Sequence, residues 1–395
     1  MGLGSLRDRR AVRQGIAGLV AQLTQAAAGL GIILVVREAG GSLSLAGASA
    51  GAFLIATGAA RPVQGRLMDR HGPPAVLVPC AVLHILGFAG LVAWTQAEGA
   101  TWPVLLFAIP IGLGEPPVSA SMRLAWGRMA EAEDRTAAYS VVTLTQELAV
   151  LLGPLLLAAI VAVASAAAAV LVVGGLSSAG TLFLATVIPG RPHLDPAEQR
   201  RSALRSPGVR LALAVNLIFA TALGCVELGI PALAGERGAP AVSGLLLGVM
   251  SVGGVLGAIA YASRRSGWTA SARLAALLVL YAIAIAPLVA TPSYALMVLP
   301  LLIAGGALNP IVTTVALLVE DHAGAAAAEA FGWQSTSLAL GAATGNTLSG
   351  PLAQTHGPEA AFAAAAIMGT AAAILSLLAQ RRLATGQPAS THPAY

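Results

Sequence analysis

The chain is 395 residues long, 57% hydrophobic and only 10% charged, with a mean hydropathy of +0.81. Soluble domains carry roughly 25% charged residues, so a soluble fold is excluded; the apolar runs are continuous rather than alternating, which excludes a β-barrel. An all-α membrane protein rich in Ala, Gly and Leu is expected, a composition that lets helices approach closely in lipid. All 22 basic residues are Arg, and they are scattered among short loops, which speaks for topology rather than for nucleic acid. Cys80 and Cys225 fall inside apolar runs and read as small buried residues, not as a disulfide or metal pair.

In chain order, Arg7, Arg9, Arg10 and Arg13 precede a first apolar run that is too long for the core of a signal peptide. About twelve membrane spans are expected, near 14–36, 43–64, 74–95, 102–124, 137–162, 165–188, 209–234, 240–262, 273–290, 294–318, 329–352 and 358–380. Each is long enough to cross a hydrocarbon core of roughly 30 Å. Between the second and third lies a charged knot, Gly65 to Gly72 (G-R-L-M-D-R-H-G), expected as the link of a hairpin. Prolines inside spans (Pro110, Pro117, Pro154, Pro231, Pro310) are tolerated in membranes because neighbouring groups re-satisfy the freed carbonyls.

With an even number of spans, both termini share a side. Every Arg except Arg37, Arg237 and the intra-span Arg61 falls on that side, which the positive-inside rule makes cytoplasmic. Arg61 itself is expected to snorkel to the inner surface. The polar stretch 189–208, rich in Pro and Arg, reads as a cytoplasmic linker between six-helix bundles at 1–188 and 209–381, with a tail at 382–395. The halves echo one another at a shift of about 195 residues: Arg70 and Gly72 with Arg265 and Gly267, Gly112 and Pro116 with Gly306 and Pro310, Gly153 with Gly345. Parallel six-helix repeats of this kind form a transporter architecture whose substrate site lies near the midplane.

Gly65-x-Leu67-x-Asp69-Arg70-x-Gly72 after the second span resembles the signature loop of the major facilitator superfamily. The echo at Arg264–Arg265, the central linker and the span count agree with it. The resemblance implies two pseudo-symmetric six-helix bundles and a conformational latch at Gly65, Asp69, Arg70 and Gly72, although Pro73 and Pro74 stand where that family has basic residues. Gly153 and Pro154 in the fifth span partly resemble its antiporter motif, whose other glycines fall here on Ala149, Leu157 and Ala158. In that family spans 1, 4, 7 and 10 line the cavity, which would place Gln22, Gln25, Glu115, Glu227 and Asn309 there; Gln334 and Asn346 on span 11 are further cavity candidates.

Glu115 and Glu147 read independently of any family. Counted from the span ends at about 1.5 Å per residue, both fall in the middle third of the membrane. An ionised carboxylate there costs about 2.5–3.5 kcal/mol even on insertion scales, so both should face the bundle interior. Low dielectric favours the neutral form of such a group, which makes Glu147, Glu115 and, nearer the outer mouth, Glu227 candidate proton carriers. A structural ion pair with Arg61 or Arg123 is the competing reading. The chain carries no nucleotide fingerprint and no zinc motif. The expectation is a monomeric secondary transporter of the bacterial cytoplasmic membrane, not an enzyme. It would use no cofactor, metal or nucleic acid, and would export a small, partly hydrophobic substrate against protons. Uptake of a metabolite by the same fold is the alternative, and a membrane-embedded enzyme or receptor is the remote one.

Overall fold

A computed structural model describes residues 9–97, 102–129, 135–190, 202–239, 241–263, 267–290 and 293–384. Arg7, Arg264, Arg265, most of the linker and the tail beyond 384 lie outside the described residues. Among the described residues the chain is helical, with no strand. Its first part holds α1 (Arg9–Ala21), α2 (Thr24–Glu38), α3 (Leu43–His71), α4 (Pro74–Gln96), α5 (Val104–Leu113), α6 (Val118–Met129), α7 (Arg135–Val163) and α8 (Ala166–Val187). The remainder holds α9 (Pro207–Glu236), α10 (Ala241–Ser263), α11 (Ala270–Ile285), α12 (Tyr294–Ala323), α13 (Ala327–His356) and α14 (Pro358–Ala384).

Ten stretches are long and apolar enough to cross a membrane, and one of them, Tyr294–His356, contains both α12 and α13. Separating those two at Gly324, and adding the 29-residue α3, gives twelve crossings. The chain is a multi-pass, all-α integral membrane protein. It divides into two compact units, Met1–Asp134 with Val141–Arg200 and Arg135–Ser140 with Arg201–Tyr395.

Within each unit, glycines let helix backbones touch, and they do so at equivalent places. A Cβ on Gly112 would collide with the Phe53 carbonyl of α3, and one on Gly305 with the Met250 carbonyl of α10. Gly153 of α7 sits in the same way against the Leu23 carbonyl, and Gly345 of α13 against the Thr221 carbonyl of α9. The echo of Gly153 with Gly345 therefore has a packing cause, since close approach in lipid needs small residues; Gly306, the counterpart of Gly112, has room for a Cβ, and the contact in that half falls on its neighbour Gly305.

Two expectations are corrected. The knot at Gly65–Gly72 is not a loop, because α3 continues through His71 and only Gly72 and Pro73 link it to α4. Gly72 ends the helix with φ 85° and donates its N–H to the Met68 carbonyl, a left-handed closure that favours glycine. Arg61 is therefore ten residues inside the end of α3, about 15 Å along the axis. It does not snorkel outward but turns into the bundle, as described below.

The two halves also differ. The first crossing is interrupted between α1 and α2 at Gln22–Leu23, and the fourth between α5 and α6 at 114–117. Their counterparts α9 and α12 run unbroken for 30 residues each, with Pro310 accommodated inside α12.

Candidate functional site: the broken fourth span

Pro116 and Pro117 carry no backbone N–H, so the carbonyls of Gly112 and Leu113 lose their helical partners. Glu115 donates its N–H to Gly112 at 3.2 Å instead of to Ile111, which frees a third carbonyl. Orphan carbonyls in an apolar interior must be paired, and side chains from α3 and α4 pair them. Thr57 Oγ1 donates to the Gly112 carbonyl at 3.2 Å, and Gln64 Nε2 to those of Leu113 and Glu115 at 3.0 and 3.1 Å. His84 Nδ1 lies 2.8 Å from the Ile111 carbonyl, which fixes Nδ1 as the protonated nitrogen. Thr57, Arg61 and Gln64 recur at helical spacing and so share one face of α3.

Arg61 completes the joint. Its Nη2 lies 3.3 Å from Glu115 Oε1, and its Nη1 donates to the Glu115 carbonyl at 3.2 Å. Both side chains are largely withdrawn from solvent, at 15% and 7% exposure. Of the alternatives open to Glu115 at the outset, the structure places it in an ion pair with Arg61. Gly114 makes the geometry possible, since a Cβ there would press on the His84 backbone nitrogen at 2.6 Å and the Cys80 carbonyl at 3.0 Å. A charge pair thus sits where the α-helical hydrogen-bond ladder of the span is interrupted.

A second polar cluster occupies the break between α1 and α2. Gln22 is buried and donates Nε2 to the Gly18 carbonyl at 2.9 Å. The Ser119 hydroxyl of α6 lies 2.6 Å from Gln22 Oε1 and 3.2 Å from Gln146 Oε1 of α7. Ser177 of α8 caps the freed Ala21 carbonyl at 2.6 Å and meets Thr24 at 3.0 Å. Glu147 follows Gln146 on α7 and is half-buried, while Gln25 is half-buried on α2. Gly153, by admitting the Leu23 carbonyl, lets α7 rest on this break; Pro154 follows inside α7.

The remaining candidates lie elsewhere. Asn309 is buried and donates to the Gly254 carbonyl of α10 at 3.0 Å; Gln334 is buried and donates to the Val312 carbonyl of α12 at 2.9 Å. Both stitch helices together. Asn346 is exposed on α13, and Glu227 is half-buried in α9. In the α3 terminus Asp69 is buried while Arg70 is exposed.

Gln64, Thr57 and His84 were not singled out from sequence; the signal available was Pro116–Pro117, which guarantees orphan carbonyls nearby. Two further carboxylates serve as caps. Glu38 Oε2 accepts the N–H of Ala166 at 2.8 Å at the start of α8, where the helix dipole favours an anion. Glu329 accepts from the Ser202 hydroxyl at 2.8 Å and from the Ala203 N–H at 3.3 Å.

Discontinuous membrane helices and buried ionisable residues are features that secondary transporters use at their functional sites. The chain belongs to the Major Facilitator Superfamily, whose family model matches residues 15–345. A search of curated proteins finds no significant relative. Solved structures similar in fold include a bacterial homologue of the iron transporter ferroportin in its outward-facing state. That one is 15% identical, with 94% of this chain and 99% of the other covered and a TM-score of 0.76. The human organic anion transporter MFSD10 (TETRAN) is 15% identical over 94% and 99% of the two chains, with a TM-score of 0.74. The E. coli fucose:proton symporter FucP is 16% identical over 95% and 99%, with a TM-score of 0.70. At such identities the likeness is one of fold.

Proposed function

We propose that the chain is a proton-coupled exporter of a small, partly hydrophobic compound, working by alternating access in the bacterial cytoplasmic membrane with both termini in the cytoplasm. The observation that carries this reading is the buried Arg61–Glu115 pair at 3.3 Å on the break of the fourth span. With Glu115 ionised, the pair is neutral overall and the junction is clamped. A proton on Glu115 dissolves the ion pair and leaves the Arg61 charge to the Gln64 amide and the Glu115 carbonyl, which loads the junction differently. Two charge states then favour two arrangements of α5 against α6, the bistable element that coupling requires.

Glu147 adds a second protonatable group beside Gln146, whose side chain reaches Ser119 near the start of α6. Among the structures of similar fold, one is a proton symporter and another an organic anion transporter, so both proton coupling and organic cargo are compatible with this architecture. Sparse aromatic residues, 4% of the chain, fit a lipophilic cargo better than a sugar, which is held on aromatic platforms. Asp69, Arg70, Gly65 and Gly72 are assigned the latch at the end of α3, and Gln22 and Gln25 a place on the cargo path.

A growth-inhibition screen tests export. A strain expressing the protein should survive higher doses of some members of a panel of lipophilic toxic compounds, and Glu147→Gln should abolish that protection while the protein still inserts. No protection across the panel would remove the export reading. Protection undiminished by Glu147→Gln would remove Glu147 as a proton carrier.

A further inference from the structure

One cavity is not used by any of this. A groove of about 590 Å³ runs between α3 and α4, lined among others by Ala59, Val63 and Leu67 of α3 and by Ala75, Pro79 and Leu83 of α4. It exists because α3 and α4 each pack more on α5 than on one another, so Leu113 of α5 forms its floor. On each wall the residues recur every four positions, the stripe that one side of a helix presents. Val63 is 60% exposed and Leu67 41%, so the groove opens sideways, away from the unit's interior.

Its dimensions name the occupant. From Ala59 to His71 the α3 wall rises through twelve residue steps, about 18 Å of helix. Half of a hydrocarbon core of roughly 30 Å is about 15 Å. The groove is therefore one leaflet deep and starts at the α3–α4 turn, where its lining ends in the His71 imidazole. Arg70, exposed on the same last turn, brings a cation to that end, at the level where lipid phosphates sit. We propose that this groove is a binding site for one anionic phospholipid of the leaflet that bathes the α3–α4 turn. An acyl chain lies between α3 and α4, and the phosphate is held at Arg70 and His71. The chain reaches Leu113 and Gln64, so the lipid abuts the same junction that carries the ion pair.

The test uses the full-length protein in nanodiscs containing a photoactivatable phosphatidylglycerol with a diazirine in its acyl chain. Label is expected on the groove peptides of α3 and α4, with unlabelled phosphatidylglycerol competing about fivefold better than phosphatidylcholine, the discrimination one arginine supplies. Ala59→Phe with Ala75→Phe fills the groove and should remove label from those peptides only. Arg70→Gln should keep the label but equalise the two competitors, which leaves a readout if the filled variant fails to fold. Label spread evenly over the other outward faces, equal competition in the unaltered protein, or a link between two copies through α3 and α4 would overturn the proposal.

Discussion

Arg61 and Glu115 are separated by 54 residues in sequence, yet each supplies the other's counter-charge inside an apolar bundle. Replacing Glu115 by Gln leaves a guanidinium buried without one, and breaking a buried pair from one side destabilises by about 3–5 kcal/mol. The melting temperature of Glu115→Gln in detergent should fall clearly. Adding Arg61→Gln removes the lone charge and should restore most of the stability, a non-additive result diagnostic of direct coupling, but it should not restore transport. A stable double variant that transports normally would assign the pair to structure alone. Glu115 was legible in the sequence because a carboxylate inside an apolar run has so few explanations. Its partner was narrowed only to Arg61 or Arg123, because the charged end of α3 looks like a loop and so set Arg61 one turn, rather than about 15 Å, from the end of its helix. Gln64, Thr57 and His84 are ordinary isolated polar residues until their acceptors are known.

At the scale of the element, two prolines decide the shape of the fourth span. Pro117 alone reads as one more proline tolerated within a continuous span, whereas asking where each carbonyl finds its donor points to a break at 114–117. Pro116→Ala with Pro117→Ala returns two N–H groups, allowing α5 to continue into α6 and pair the Gly112 and Leu113 carbonyls along the helix. The healed span should be more stable and should transport poorly, since the junction can no longer respond to Glu115. Thermal melting alongside transport checks both halves of that expectation, and unimpaired transport through a stabilised span would show that the break is dispensable. The end of α3 teaches a related lesson. At 29 residues it is about 43 Å long, close to the roughly 40–45 Å of a bilayer with its headgroup layers, so its charged last turn is still helical at headgroup level. Charge marks where the apolar core ends, not where the helix does.

For the whole molecule, twelve crossings and the repeat were legible because apolar length and small-residue spacing are local properties written directly in the chain. The confinement of the broken spans to the first unit was not, since Pro310 and Pro116 look alike in sequence while only the second proline at 117 removes adjacent donors. That asymmetry puts the Arg61–Glu115 pair and its break in one half and leaves α9 and α12 as continuous helices. The central claim, that proton entry drives outward movement of a lipophilic cargo, is tested most directly in everted membrane vesicles given an acid interior, with ethidium as the probe. The expected result is accumulation of ethidium inside, abolished by a protonophore and by Glu115→Gln with Arg61→Gln. Accumulation that ignores the pH gradient, or that survives the double substitution unchanged, would contradict it.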